Sequence, residues 1–209
     1  MSLNKHLTGT NIALVSVFAG FIAASTLWGG VEVASGVPFT LQTLTVVLAG
    51  AVLGPWRGAS AVLLYLLLGT VGAPIFAGHA TGGTAWPSVT AGFLIGFVPA
   101  AFVTGWIMRS LRRRGAMTFA GAFGASVVGG VVVLYPIGWT YLALRAGLTF
   151  DATLIAAAPF AVFDVIKAGV AATVAMAVHR AYPGILGVSA PASSARLEET
   201  EARDAVPSA

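Results

Sequence analysis

The segment Pro159-Phe-Ala-Val-Phe-Asp-Val-Ile-Lys-Ala-Gly169 places two charges, Asp164 and Lys167, inside an otherwise apolar stretch. A charge near the bilayer centre costs about 3 kcal/mol on insertion scales, so such residues face the interior of a bundle and need partners. A spacing of three puts both on one face of a helix, with Cβ atoms about 5–6 Å apart. Two readings are open. The pair can neutralise itself and only position its helix, or it can form a polar ligand site. In the second case the ammonium takes a carboxylate and the carboxylate takes N–H donors.

A second cluster is Val37-Pro-Phe-Thr-Leu-Gln42. Pro38 biases Val37 away from helix and lacks an N–H, which predicts a non-helical approach to the following helix. Thr40 and Gln42 add a hydroxyl and an amide at a membrane edge, and Thr40 equally fits the role of a helix cap. A third feature is the long, uncharged, glycine-rich linker from Gly72 to Pro87, with Phe76 and Trp86. It reads either as a lid over a ligand or as a loose connection with aromatics resting at the interface. No G-x-x-x-x-G-K-[ST] and no H-E-x-x-H occurs, so any ATP chemistry must come from another chain. His6, His79 and His179 are too scattered to suggest a metal site.

The elements that must hold these groups follow from composition. The 209 residues are 57% hydrophobic and only 9% charged, against about 25% charged in soluble domains. A bilayer core of about 30 Å needs about 20 apolar residues per helix. Six spans are expected in one all-α membrane bundle: about Asn11–Trp28, Thr40–Leu53, Arg57–Val71, Ser88–Met108, Met117–Leu144 and Ala152–His179. The second and third are short and either extend into flanking apolar residues or stop at a cavity protected inside the bundle. Basic residues set orientation. With the N-terminus inside, Lys5, Arg57, Arg109, Arg112, Arg113, Arg114 and Arg180 flank cytoplasmic ends, whereas Arg145 lies outside beside Glu32 and Asp151. Both termini are thus expected in the cytoplasm. The arginine cluster follows an apolar span, a membrane-flanking pattern rather than a nucleic-acid one. Residues 1–188 are expected to form the membrane domain. Residues 189–209, rich in Pro, Ser, Ala, Glu and Arg, are expected to be a disordered cytoplasmic tail. The absence of cysteine excludes disulfides and thiolate metal sites.

With the motifs in view, the chain resembles the biotin-specific substrate-binding (S) component of energy-coupling factor (ECF) transporters, the BioY family. The resemblance rests on Val37–Gln42, Leu48-Ala-Gly-Ala-Val-Leu-Gly54, Tyr65-Leu-Leu-Leu-Gly69 with Gly72, Pro74, Phe76 and Ala77, then Ala91-Gly-Phe-Leu-Ile-Gly96, Tyr135 to Gly138, and Pro159-Phe160 followed by Asp164 and Lys167. It runs from about residue 10 to 180. It implies a multi-pass plasma-membrane protein, not an enzyme, that captures biotin at the external face. It also implies delivery inward with a transmembrane T component and two ATP-binding-cassette ATPase subunits. Biotin is then the transported ligand, and no cofactor is implied.

The expected substrate site comprises Asp164, Lys167, Gln42, Thr40, Phe39, Tyr135, Thr90, Phe93 and Trp86. One stretch departs from the family. Many members carry Gly-Pro-Thr/Ser-Gly-Gly-Tyr where this chain has Ser88-Val-Thr-Ala-Gly-Phe93, and some place an arginine where Leu94 stands. The ligand carboxylate is therefore expected to lean on Lys167. Ala19 and Ala23, with Gly20 and Ala24 beside them, form a small-residue stripe. In lipid such stripes permit close helix contact. Bundle packing explains the stripe, and the resemblance implies a face for the T component. Rival readings are a self-contained carrier or channel for a small carboxylate, an intramembrane serine protease built on Ser126 and His179, and a retinal-type receptor. The last needs a seventh helix.

Overall fold

The computed structural model describes residues 9–27, 31–32 and 38–186, with the backbone alone at residues 27, 31–32 and 38–39. The expected tail, residues 189–209, lies outside the described residues, as do Lys5, His6 and Val37. The elements in order are α1 (Gly9–Leu27), β1 (Val31–Glu32), β2 (Pro38–Phe39), α2 (Gln42–Leu53), α3 (Pro55–Thr70), α4 (Gly82–Ala85), α5 (Ala91–Arg113), α6 (Phe119–Val127), α7 (Leu134–Ala146) and α8 (Phe150–Ala181). A π-helical turn, Val128–Val133, fuses α6 and α7 into one continuous rod. Gly9–Thr26, Ala91–Arg113, Phe119–Ala146 and Phe150–Ala181 are long and apolar enough to cross a membrane.

The approach to α2, expected to be non-helical, is a two-residue antiparallel ribbon pairing Val31 with Phe39 and Glu32 with Pro38. It is a small departure from the all-α expectation. α2 itself forms the axis of the bundle. It packs against α1, α3, α5 and α8, and ten of its twelve residues are buried. A helix wrapped in protein need not be long enough to cross lipid, because its neighbours shield its open ends. Gly54, at φ 83°, turns the chain from α2 into α3, and Pro55 starts the next helix. The left-handed φ suits glycine, and Pro costs nothing at a first helical position.

The π turn has a local cause and a consequence. Pro136 has no N–H to return to the carbonyl one turn earlier, and the ladder widens just before it. Gly129 in that turn lies against α5, where a Cβ would collide with the Thr104 hydroxyl and sit 2.7 Å from the Ala100 carbonyl. The widened turn sets the register of Leu134 and Tyr135. Such insertions recur at functional sites.

On α1 the two small-residue stripes are unequally covered. Ala19 is 2% exposed, and Ala23 packs against the same buried cluster as Val46 and Ala49. Gly20 and Ala24 are the exposed pair. Successive residues on a helix lie about 100° apart, so the two adjacent stripes cannot share a face. Ala19 therefore faces the bundle and Ala23 is partly covered by it, while Gly20 and Ala24 face outward. Arg57 links α1 to the segment after α8. Its Nε donates to the Leu53 carbonyl at 3.0 Å, one terminal nitrogen donates to Asn11 Oδ1 at 3.2 Å, and the other donates to the Ile185 carbonyl. The start of α1 and the segment after α8 thus meet at one end of the bundle, the end where the arginines of α5 lie.

Candidate ligand-binding site

Asp164 and Lys167 sit about halfway along α8 and are 6% and 8% exposed. Lys167 Nζ donates to Asp164 Oδ1 at 2.8 Å and to the Thr40 carbonyl at 2.7 Å. Tyr135 on α7 donates its hydroxyl to Asp164 Oδ2 at 2.8 Å. Each carboxylate oxygen therefore holds one protein donor, and the ammonium reaches across from α8 to the entry of α2. Charge-assisted bonds of this kind are about twice as strong as neutral ones, which fixes the rotamers of all three side chains. The buried pair is satisfied by geometry, and it is not sealed inside the core, because both residues line a cavity.

The entry of α2 brings the second set of polar groups. Thr40 Oγ1 accepts from the Gln42 backbone N–H at 3.3 Å. Gln42, 4% exposed, donates Nε2 to the Tyr65 hydroxyl at 2.5 Å. Tyr65 in turn donates to the Ile75 carbonyl at 3.4 Å. The amide is thus oriented by α3 and by the loop that follows it, a supporting shell of the kind that holds a site to tight tolerance.

The Gly72–Pro87 linker is folded against the bundle. The Phe76 N–H donates to the Ala80 carbonyl at 3.1 Å, and Thr81 and Thr84 cap α4 reciprocally. Phe76 is 2% exposed and meets the Tyr65 ring edge-on at 5.4 Å between centroids. Thr26 Oγ1 on α1 donates to the Ile75 carbonyl at 2.9 Å, pinning the linker from the other side. The linker supplies Phe76, Ala77, Ala80, Thr84 and Ala85 to the cavity wall.

The cavity has a volume of about 260 Å³, just below the range of about 300–1,000 Å³ common for small-molecule sites. Of the expected residues, Thr40, Gln42, Thr90, Phe93, Tyr135, Asp164 and Lys167 line it together. The side chain of Phe39 lies outside the description. Trp86 stands behind the wall rather than in it, against Phe76. Its indole N–H donates to Thr70 Oγ1 at 2.9 Å, and its ring backs onto Phe76 at 6.3 Å. An indole needs an acceptor when it packs, and Thr70 at the end of α3 supplies it.

Sequence reading missed Trp139 and Phe160. Trp139 lies edge-on to both Phe93 and Phe160, each at 5.5 Å. The signal was helical spacing: Trp139 follows Tyr135 by four residues and Phe160 precedes Asp164 by four, so each shares a face with a polar residue already singled out. Leu94, at the position where some members of the resembled family place an arginine, also lines the wall. Among the described residues, Lys167 is the only positively charged side chain lining the cavity. The arrangement offers one end with a carboxylate and an ammonium, hydroxyls at Ser88 and Thr90 joined at 3.0 Å, and aromatic walls between them. It suits a small ligand with polar ends and an apolar body. The protease reading finds no support. Ser126 donates to the Ala122 carbonyl at 3.0 Å and His179 Nε2 pairs with the Ala51 carbonyl at 2.9 Å, so neither is the other's hydrogen-bond partner.

Comparison with known proteins gives concordant findings. The family model described as "BioY family" matches residues 2–184. A "Biotin transporter BioY" of Rhizobium etli is 42% identical over 177 residues, covering 83% of this chain and 95% of that protein. A "Biotin transporter BioY" of Rhodobacter capsulatus is 41% identical over 186 residues, covering 84% and 96%. A crystal structure of the S-component for biotin from an ECF-type ABC transporter aligns with TM-score 0.78 at 22% identity, over 86% of this chain and 95% of that one. At that identity the last match speaks for the fold.

Proposed function

The chain belongs to the BioY family, and on that premise we propose that it is the substrate-binding membrane subunit of an ECF-type importer for biotin. It takes the vitamin at the external face and passes it inward with a T component and two ATP-binding-cassette ATPase subunits. The observation that carries the reading is the buried Asp164–Lys167 pair, held by Tyr135 and Thr40 and facing a cavity of about 260 Å³. Biotin carries a fused ureido ring with two N–H donors and a carbonyl, a thioether ring, and a valerate chain ending in a carboxylate. Asp164 can accept an N–H, Lys167 can take an oxygen, and Phe93, Trp139 and Phe160 can enclose the apolar body.

In this proposal α1, α2, α3, α5, the fused α6–α7 rod and α8 are six spans of a multi-pass protein of the plasma membrane. Residues 1–188 form the membrane domain, and both termini are cytoplasmic. Two facts support that orientation. Asn11 and Ile185 meet at Arg57, and basic residues favour the cytoplasmic side. The ligand carboxylate is assigned to Lys167, because the position that could hold an arginine is Leu94. Equilibrium binding of labelled biotin to the purified protein in detergent, without nucleotide, tests the reading. Saturable high-affinity binding is expected, and its absence up to millimolar biotin in folded protein overturns the assignment.

A further inference from the structure

At the end of α5 away from the cavity the chain carries Arg109, Arg112, Arg113 and Arg114. Arg57, at the same end, makes three hydrogen bonds within the bundle, one from each of its nitrogens. Arg109 and Arg113 make none. Among the described residues neither has a hydrogen-bond or carboxylate partner, and Arg109 Nε, like that of Arg112, is buried without an acceptor; what sets Arg109 and Arg113 apart is the groove they line. Both line a groove of about 390 Å³ between the start of α3 and the last turns of α5. The rest of the groove is mainly apolar: Trp56, Phe102, Val103 and Trp106. The Trp56 and Phe102 rings meet edge-on at 5.0 Å, while Trp56 and Trp106 remain 67% and 59% exposed.

The order along the helix matters. Phe102, Trp106, Arg109 and Arg113 follow one another at spacings of four, three and four, a single stripe that runs from apolar to cationic. Tryptophan rings favour the boundary between hydrocarbon and headgroups, and guanidiniums bind phosphate through paired donors. A soluble anion would use the arginines and leave the exposed aromatic wall unmatched. An apolar partner helix would cover the wall and bury two guanidiniums without counter-charge. A molecule with an anionic head and a hydrocarbon tail satisfies both parts of the groove.

We propose that this groove binds one anionic phospholipid, with its phosphate between Arg109 and Arg113 and its upper acyl chain along Trp56, Phe102 and Trp106. Native mass spectrometry of the full-length protein from mixed micelles of phosphatidylglycerol and phosphatidylcholine tests this. Wild type should retain one phosphatidylglycerol in preference to phosphatidylcholine. The Arg109→Gln/Arg113→Gln variant should bind it about 25-fold more weakly, and Arg113→Gln alone about fivefold more weakly. The charge-matched Arg112→Gln/Arg114→Gln variant removes two arginines that do not line the groove and should retain the lipid. Melting in phosphatidylcholine alone checks that each variant is folded. Should the double variant not fold, Arg113→Gln decides, since its side chain is exposed. Equal loss in both double variants would mean diffuse attraction, and undiminished binding in the groove variants would place the lipid elsewhere. Displacement of the lipid by inorganic phosphate would mark a soluble-anion site. Any of these overturns the proposal.

Discussion

The Tyr135 hydroxyl donates to Asp164 Oδ2 at 2.8 Å while Lys167 occupies the other oxygen of the same carboxylate. This bond joins α7 to α8 across the wall of the cavity. Tyr135 stands two residues beyond the π turn, so the irregular helix aims the hydroxyl at the charge.

We predict that Tyr135→Phe keeps the shape of the wall and weakens biotin binding. Removing a hydrogen bond to a charged group costs about 1.5–3 kcal/mol, roughly 10- to 100-fold in affinity if the ligand needs the carboxylate as Tyr135 holds it. Isothermal titration in detergent measures it. Unchanged affinity in folded protein would assign the bond to helix packing alone.

Lys167→Ala and Asp164→Ala should each impair binding more severely. Deleting one member of a buried pair leaves the other uncompensated, at about 3–5 kcal/mol. Because unfolding imitates that result, melting temperature and size-exclusion profile are recorded beside the affinity. A monodisperse variant that binds biotin as wild type does would reduce the pair to a structural role.

The carboxylate assignment has its own test. Biotin amide, which lacks the negative charge, should bind wild type more weakly than biotin does. In Lys167→Ala the penalty for the amide should largely vanish. Equal penalties in the two proteins would move the ligand carboxylate to another part of the cavity.

On α1 the two small-residue stripes should respond differently. Ala19 is 2% exposed, so Ala19→Trp overpacks the bundle, with a penalty of at least about 1–3 kcal/mol, and should lower both melting temperature and biotin binding. At Gly20 an added Cβ meets nothing within 4 Å, and Gly20→Trp should leave both intact. Thermal melts of the two purified variants decide it. A stable Ala19→Trp protein would mean that α1 is turned about its axis relative to this structure.

Much of the architecture is legible in the sequence. Lipid tolerates helices because they satisfy their own backbone groups, so long uncharged runs could only be spans. The cost of burying charge likewise marked Asp164 and Lys167 as inward-facing. Local chemistry gave the non-helical approach at Pro38 and the short α2. The rotation of α1 was not legible, because Ala19/Ala23 and Gly20/Ala24 are equally small and only the neighbours decide which pair is covered. Trp86 and Trp139 were likewise indistinguishable as aromatics near polar motifs. Thr70 drew the first out of the cavity wall, and the packing of α7 against Phe93 and Phe160 put the second into it. Sequence determines what each segment can bury. Which side chains meet across helices depends on distances that no single helix contains, and the tertiary structure alone sets those.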